Sequence, residues 1–219
     1  MQFSLVPELT PVVAPGLLAF DGICVVARDE RMDAPIIETE GAIRGGGALG
    51  ARDFTEEISR VRAMYKRFGL DPTKVRPSSE ALLRRVRKGD PLPRVNSLVD
   101  ICNWCSVETQ LPFGLYDYEK IEGDAVSLRL GAAGEGYDGI RKDRVNVDGR
   151  LTLADSRGPF GNPTSDSART MVTLDTTRVL FVVYCPRGHE RLGLAAAMDL
   201  TARRMLEFTG AAPSLRLTL

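Results

Sequence analysis

The chain has 219 residues, 43% of them hydrophobic, which is enough apolar material to bury one sizeable core in a single domain spanning 1–219. Lys plus Arg equals Asp plus Glu at 29 each, a balance that excludes a global basic field but leaves room for a local patch. Apolar runs such as "LFVVY" at 180–184 are too short for a membrane span, four Cys are too few for a disulfide scaffold, and Pro7 and Pro11 interrupt the N-terminus before a signal-peptide pattern forms, so a cytoplasmic protein with no membrane partner is expected.

In chain order, "GLLAFDGICVVARD" (16–29) reads as one or two apolar strands around Asp21-Gly22, and "EGAIRGGGALG" (40–50) as a flexible loop. A helix fits 53–68: Asp53 with Glu56 matches a capping box, Ile58, Val61, Tyr65 and Phe68 recur at helical spacing, and Gly69 stops it. A second helix follows Pro77 over 78–89, with Leu82, Leu83 and Val86 inward and Arg84, Arg85, Arg87 and Lys88 outward. After the rigid connector "PLPRVN", a third helix starts at Asn96 or Ser97 and ends before Pro112. Segments 124–131, 144–155, 169–175 and 178–185 read as strands. A closing helix over 191–210 carries Leu194, Ala197, Met198, Thr201, Met205 and Phe208 on one face, with Gly210 as its stop. Leading helices, a run of antiparallel-type strands and a closing helix predict an α+β fold rather than a doubly wound sheet.

Several motifs are weak. Gly45, Gly47 and Gly50 spell G-x-G-x-x-G without the preceding buried strand that a nucleotide fingerprint needs, so they read as loop. Cys102 and Cys105 form C-x-x-C, but Cys102 and Cys105 share the apolar stripe of the third helix with Leu98 and Ile101, and the other soft ligands, Cys24, Cys185 and His189, are scattered. Core cysteines are therefore expected, with no metal and no cofactor. His189 is the one histidine, in a Pro/Gly-rich loop, and no Ser-His-Asp triad can be assembled around it. The run Arg84, Arg85, Arg87 and Lys88 is either a solvated helix face or a strip that contacts phosphate, with Arg76 and Arg94 near in sequence.

Polar groups gather at two places. On the third helix Val99, Asn103, Ser106 and Gln110 are spaced four, three and four, which sets Asn103 beside Ser106 opposite the packing stripe. In "GNPTSDSARTMVT" (161–173), Asn162-Pro163 starts a turn, Thr164 or Ser165 caps it, and Asp166 and Arg169 stand at i, i+3. That pair either braces the turn or walls a polar pocket.

Together these pieces have a likeness. N-x-L-V-D-x-x-N at 96–103, Pro-x-Gly-x-x-Asp at 112–117 and G-N-P-T-S-D-S at 161–167 make the stretch 76–184 resemble the freestanding B3/B4-domain proteins, relatives of the editing domain in the β-subunit of bacterial phenylalanyl-tRNA synthetase. The resemblance implies β/β/α layers with flanking helices, and an aminoacyl-tRNA deacylase that acts in trans, without metal, on the aminoacylated 3′ end of tRNA; DNA is not an implied partner. The synthetase helix has a Thr-Asn pair where this chain has Cys102-Asn103, and a Pro-x-His loop where it has Pro112-Phe113-Gly114. Both departures bear on the synthetase's tyrosine specificity, and Gly114 is expected to widen the pocket. One branch of freestanding relatives resembles deacylases that remove canavanine, an arginine mimic, from tRNA(Arg), which makes canavanyl-tRNA(Arg) the leading substrate expectation.

An aminoacyl ester is already activated, so a site need only place water, stabilise an oxyanion and exclude the correct amino acid. Asn103 and Asp166 are the expected catalytic groups. Asn103 or the backbone at 161–165 polarises the carbonyl, and Asp166 holds the α-ammonium or orients water. Ser106, Gly114, Asn162, Thr164, Ser165 and Arg169 are expected to bind substrate, Glu108 or Glu135 to read its side chain, and Arg84, Arg85, Arg87 and Lys88 to bind tRNA. Two rival classes are a non-catalytic RNA-binding module and an esterase or amidase acting on a free small molecule.

Overall fold

The computed structural model describes residues 1–45, 53–141 and 143–219. Strands β2 (Val13–Asp21) and β9 (Arg178–Pro186) are near-continuous apolar runs, and they pair antiparallel along their whole length. With β10 (Pro213–Thr218) and β3 (Phe113–Asp117) they form a sheet of order β10-β2-β9-β3, in which β3 is an edge strand. Unbroken burial along β2, β3 and β9 means that both faces of this sheet are covered, where a one-sided antiparallel sheet would alternate.

A second sheet, β1 (Gln2–Leu5), β4 (Ala125–Leu130), β7 (Leu151–Asp155) and β8 (Gly158–Gly161), has order β1-β4-β7-β8 and one parallel pair, β1 with β4. It meets the first sheet where the Tyr116 and Phe160 rings contact edge to face, centroids 5.1 Å apart. A small pair, β5 (Gly136–Asp138) with β6 (Arg144–Asn146), lies beside β8.

The helices are α1 (Asp33–Ile43), α2 (Thr55–Arg67), α3 (Ser78–Arg87), α4 (Ser97–Thr109) and α5 (Ala195–Thr209). Helix α4 packs on α3, α5 and β3, and α5 packs on β2, so helices cover the first sheet opposite the second. The result is an α+β architecture, and its described buried apolar residues, apart from Tyr137, Val147 and Ala154, form one cluster from Leu9 to Phe208. No helix among the described residues is long and apolar enough to cross a membrane.

Helix α4 carries the site and is fixed at both ends. Asn96 Oδ1 accepts from Val99 N at 3.0 Å, an N-cap. Asp100, with no exposed side-chain surface, takes Arg94 Nε at 2.7 Å and Val95 N at 2.8 Å. Gln110 ends the helix in the left-handed region at φ 56° and donates back to Val107 O at 2.6 Å.

Three expectations need correction, at residues 40–43, at the Asp53 cap and at 169–175. Residues 40–43 belong to α1, a helix hidden in the sequence because its buried face includes Glu40, whose carboxylate receives Leu92 N at 2.6 Å. Of the G-x-G-x-x-G glycines, Gly45 follows α1 at φ 83°, whereas Gly47 and Gly50 lie outside the described residues. Asp53 caps Thr55 N at 2.9 Å without a capping box, because Glu56 pairs with Arg60 instead. Segment 169–175 is irregular rather than a strand. Its backbone groups go elsewhere: Thr170 O accepts from Asp117 N at 2.9 Å, Met171 O from Lys120 Nζ at 2.8 Å, and Thr173 N donates to Thr176 Oγ1 at 2.9 Å.

Candidate active site

A cavity of about 270 Å³ opens at the edge of β3. Val99, Cys102 and Asn103 of α4 form one wall and Phe113 and Leu115 of β3 the floor. Residues Asn162 and 164–166 form the opposite wall, with Ser78, Ile140, Met171 and Val172 closing the sides. The spacing of Cys102 and Asn103 on the helix turns both toward this space, so Cys102 serves core and cavity together.

Asn103 is half-buried, and its amide makes no hydrogen bond to a described residue. Its helical neighbours are otherwise engaged. Ser106 Oγ donates to Leu111 O at 2.8 Å and Thr109 Oγ1 to Cys105 O at 2.8 Å. Ser106 is thus buried and tied to backbone outside the cavity lining, so the expected Asn103–Ser106 pair reduces to Asn103.

The 161–167 loop is held by tyrosines. Asn162, rather than Thr164 or Ser165, is the cap: its Oδ1 accepts from Thr164 N at 2.8 Å and Ser165 N at 2.9 Å. Its Nδ2 donates to the Tyr137 hydroxyl at 2.8 Å, and that hydroxyl donates to Ser165 O at 2.6 Å. From α2, the Tyr65 hydroxyl donates to Pro163 O at 3.0 Å and lies 3.1 Å from Thr164 Oγ1, while Ser78 Oγ reaches Pro163 O at 3.1 Å. The Tyr116 hydroxyl donates to Asp166 Oδ1 at 2.6 Å and sits 3.2 Å from the Tyr184 hydroxyl.

Four of the chain's five tyrosines therefore bear on this loop. Burial, reinforced by the Asp166 charge, pushes the Tyr116 and Tyr184 phenols well above their ordinary range, and Tyr137 is raised by the same causes. Burial likewise raises Tyr65. These groups stay protonated and act as permanent donors. Sequence reasoning missed them. The available signal was a phenol at the end of an apolar strand run ("LFVVY", "GLY"), which must find a polar partner once buried.

Glycines make room for the central phenol. A Cβ at Gly114 or at Gly161 would overlap the Tyr116 ring, so the ring is clasped between β3 and the end of β8. The expectation that Gly114 widens the pocket is thus corrected: the freed space holds Tyr116, and Gly114 does not line the cavity.

Other expected residues lie apart. Glu108 pairs with Arg204 of α5, itself stacked on Trp104 with its guanidinium carbon 3.4 Å from the ring centroid. Glu135 pairs with Arg129 at 2.6 Å, and the guanidinium holds its carboxyl down at about 2. Arg169 grips Asp155 through two bonds of 2.9 and 3.0 Å rather than pairing with Asp166. None of the three lines the cavity, which leaves Asp166 as the one carboxylate among its described lining residues. Cys102 and Cys105 are buried free thiols, both pushed up by burial. His189 is half-buried over Gly193, away from the cavity. Arg84, Arg85, Arg87 and Lys88 are exposed on α3; Arg84, Arg87 and Lys88 face α2, whereas Arg85 Nε donates to Pro91 O at 2.6 Å.

Fold and site define a two-sheet α+β domain with a small pocket at a sheet edge, its described lining an apolar floor with amides, hydroxyls and one carboxylate on the walls. The chain belongs to the B3/4 domain family, which residues 60–214 match, a wider span than 76–184. It is similar to the phenylalanine–tRNA ligase β-subunit of Protochlamydia amoebophila (strain UWE25), 31% identical over 88 residues, 40% of this chain and 11% of that one. The β-subunit of Symbiobacterium thermophilum is 34% identical over 87 residues, 39% of this chain and 10% of that one. The chain thus spans about a tenth of the length of these relatives. In fold it is similar to an N-terminal fragment of the phenylalanyl-tRNA synthetase β-subunit from Pyrococcus horikoshii. The TM-score is 0.51 at 12% identity, covering 99% of this chain and 53% of that one.

Proposed function

We propose that the chain is an aminoacyl-tRNA deacylase acting in trans, hydrolysing the ester of a misacylated tRNA. The observation that carries this is the convergence of the Asn103 amide, without a hydrogen bond to a described residue, and the Tyr116-held Asp166 carboxylate on one cavity of about 270 Å³. That volume falls below the range of about 300–1,000 Å³ for drug-sized ligands, so it suits an aminoacyl group with the nucleotide left outside. The Asn103 amide donates to the ester carbonyl and to the oxyanion that forms from it, and Asp166 receives the α-ammonium. Water adds to the carbonyl carbon from the side of the Thr164 and Ser165 hydroxyls, the ester C–O bond breaks, and a proton of that water goes to the departing tRNA 3′ oxygen, leaving free amino acid and tRNA. The activated ester needs no nucleophilic side chain.

Canavanyl-tRNA(Arg) is the leading substrate. With Asp166 committed to the α-ammonium, no described lining carboxylate remains to match a cationic side chain. A guanidinium would lose its hydration without a partner, whereas an oxyguanidine, less basic because of its electron-withdrawing oxygen, enters neutral. The basic residues of α3 serve the tRNA phosphates. Because the donor is a side-chain amide, hydrolysis should survive dialysis against a strong chelator; a loss restored only by added metal would contradict it.

The test is deacylation of a panel of misacylated tRNAs by the purified protein, canavanyl-tRNA(Arg) and arginyl-tRNA(Arg) included. Binding of tRNA without hydrolysis of any member would assign a non-catalytic RNA-binding module. Hydrolysis of free amino-acid esters or amides at rates matching the tRNA esters would assign a small-molecule hydrolase.

A further inference from the structure

A second, larger depression of about 690 Å³ runs between α2 and α3, separate from the cavity. Five cations line it, Arg62 and Lys66 from α2, Arg84 and Arg87 from α3, and Lys88, which caps α3. Glu80 is the one acid among its described lining residues, and it is already neutralised, by Arg62 Nε at 2.8 Å and Arg76 Nε at 3.5 Å. The side chains of Lys66, Arg84, Arg87 and Lys88 make no hydrogen bond or ion pair to a described residue. Four cations without a bonded partner facing one cleft are a poor arrangement for stability, since among the described residues only Asp53, near Arg87, and Asp71, near Lys66, offset their mutual repulsion, and only through space.

The two helices that flank the cleft also reach the active-site loop, through residues outside the cleft lining. Tyr65, near the end of α2, and Ser78, at the start of α3, both donate to Pro163 O, and Ser78 also lines the cavity. From Ser78 the helix rises about 1.5 Å per residue, so Arg84 and Arg87 stand roughly 9 and 14 Å along α3 from the cavity mouth. The uncommitted charge of α3 thus starts about 9 Å from the cavity mouth and extends away from it along the helix.

We propose that this cleft is the track for the phosphodiester backbone of the single-stranded 3′ arm of the substrate RNA. The terminal ester enters the cavity beside Ser78 and Thr164, and the strand leaves past Lys66 toward Arg84, Arg87 and Lys88. The inference rests on the deacylase reading for the identity of the strand, and it goes beyond it in adding α2 to the RNA surface and in excluding Arg85. Arginine suits the role because its planar fork gives two bonds to a phosphate and its charge never titrates away.

The experiment is a salt titration of binding between the full-length protein and deacylated tRNA, read by fluorescence anisotropy. Each phosphate contact to a single strand contributes about 0.7 to the slope of log K against log salt. The triple variant Lys66→Ala/Arg84→Ala/Arg87→Ala should therefore flatten the slope by about 2, and Arg85→Ala should leave it at the wild-type value. The variant Lys66→Arg/Arg84→Lys/Arg87→Lys should keep most of the slope, which separates lost charge from lost folding. A wild-type slope in the triple alanine variant, or an equal loss in Arg85→Ala, overturns the cleft. The deacylase reading is judged on a different measurement, wild-type hydrolysis of an aminoacyl-adenosine ester. Slope loss with no ester hydrolysed keeps the cleft and removes the deacylase. Ester hydrolysis with no slope loss does the reverse.

Discussion

Asp166 is aimed by Tyr116, and Tyr116 is aimed by the two glycines that clasp its ring. Tyr116→Phe keeps the ring and deletes the donor. A hydrogen bond to a charged group is worth about 1.5–3 kcal/mol, so the variant should melt lower and hydrolyse the ester several-fold more slowly, read by thermal denaturation and single-turnover deacylation. Asn103→Ala should behave differently, because Asn103 has no hydrogen-bond partner among the described residues to lose: about ten-fold or more in rate, with melting temperature unchanged. Asp166→Ala should match that rate loss, and a stable Asp166→Ala protein with full activity would remove Asp166 from the mechanism. At this scale the sequence was half legible. Asn103, Asp166, Asn162, Thr164 and Ser165 were readable as polar groups in motifs, and they line the cavity. The tyrosine donors were not, because a phenol in an apolar strand looks like core until its partner, 50 or more residues away, is known.

Helix α4 brings Asn103 to its place, so its N-cap is where an element-level change should register. Asn96→Ala removes the acceptor for Val99 N and should cost about 1 kcal/mol, lowering the melting temperature by about 2–4 °C in a chain of this length. The rate per folded molecule should hold, since Asn103 lies two turns further on. Helices α2 to α5 were legible because each follows an apolar period and a stop signal, as at Gly69 and Gly210. Helix α1 was hidden by an inward-facing glutamate. The stretch 169–175 was misread for the opposite reason, since its Val and Thr alternate like a strand while side chains take up its backbone groups. Strands β1 and β10 are short edge strands, one of them parallel, and edge pairing leaves little pattern in a sequence.

Across the whole molecule, ionisation links the second sheet to acid stability. Glu135 is held near 2 by Arg129, below its ordinary 4.5, so the folded state favours its charged form. That contribution is present in full above 4.5 and is lost as pH falls toward 2. Glu135→Gln should flatten the decline of melting temperature between those limits and leave the curve at neutral pH parallel to wild type. The thiols give an independent reading of the layers. Cys24 is exposed, whereas Cys102, Cys105 and Cys185 are buried and Cys185 is pushed up to about 12 by that burial. Mass spectrometry after brief alkylation of native protein at neutral pH should find one label, on Cys24; early labelling of Cys105 would contradict the packing of α4 against α5. The order of layers was legible only through family likeness, because nothing in local periodicity says which sheet lies between the other and the helices.

The clasp around Tyr116 has a consequence for how this pocket can diverge. Position 114 and the phenol at 116 are rival tenants of one volume, so a side chain at 114 evicts the ring and, with it, the bond to Asp166. The resemblance implies histidine at the position of Gly114 in the synthetase loop, and such a side chain here would need the space that the Tyr116 ring fills, so a smaller residue at 116 would have to accompany it. Homologues should therefore exchange bulk between these positions in concert. Gly114→His alone should disrupt the fold, and adding Tyr116→Ala should restore it with a differently furnished pocket.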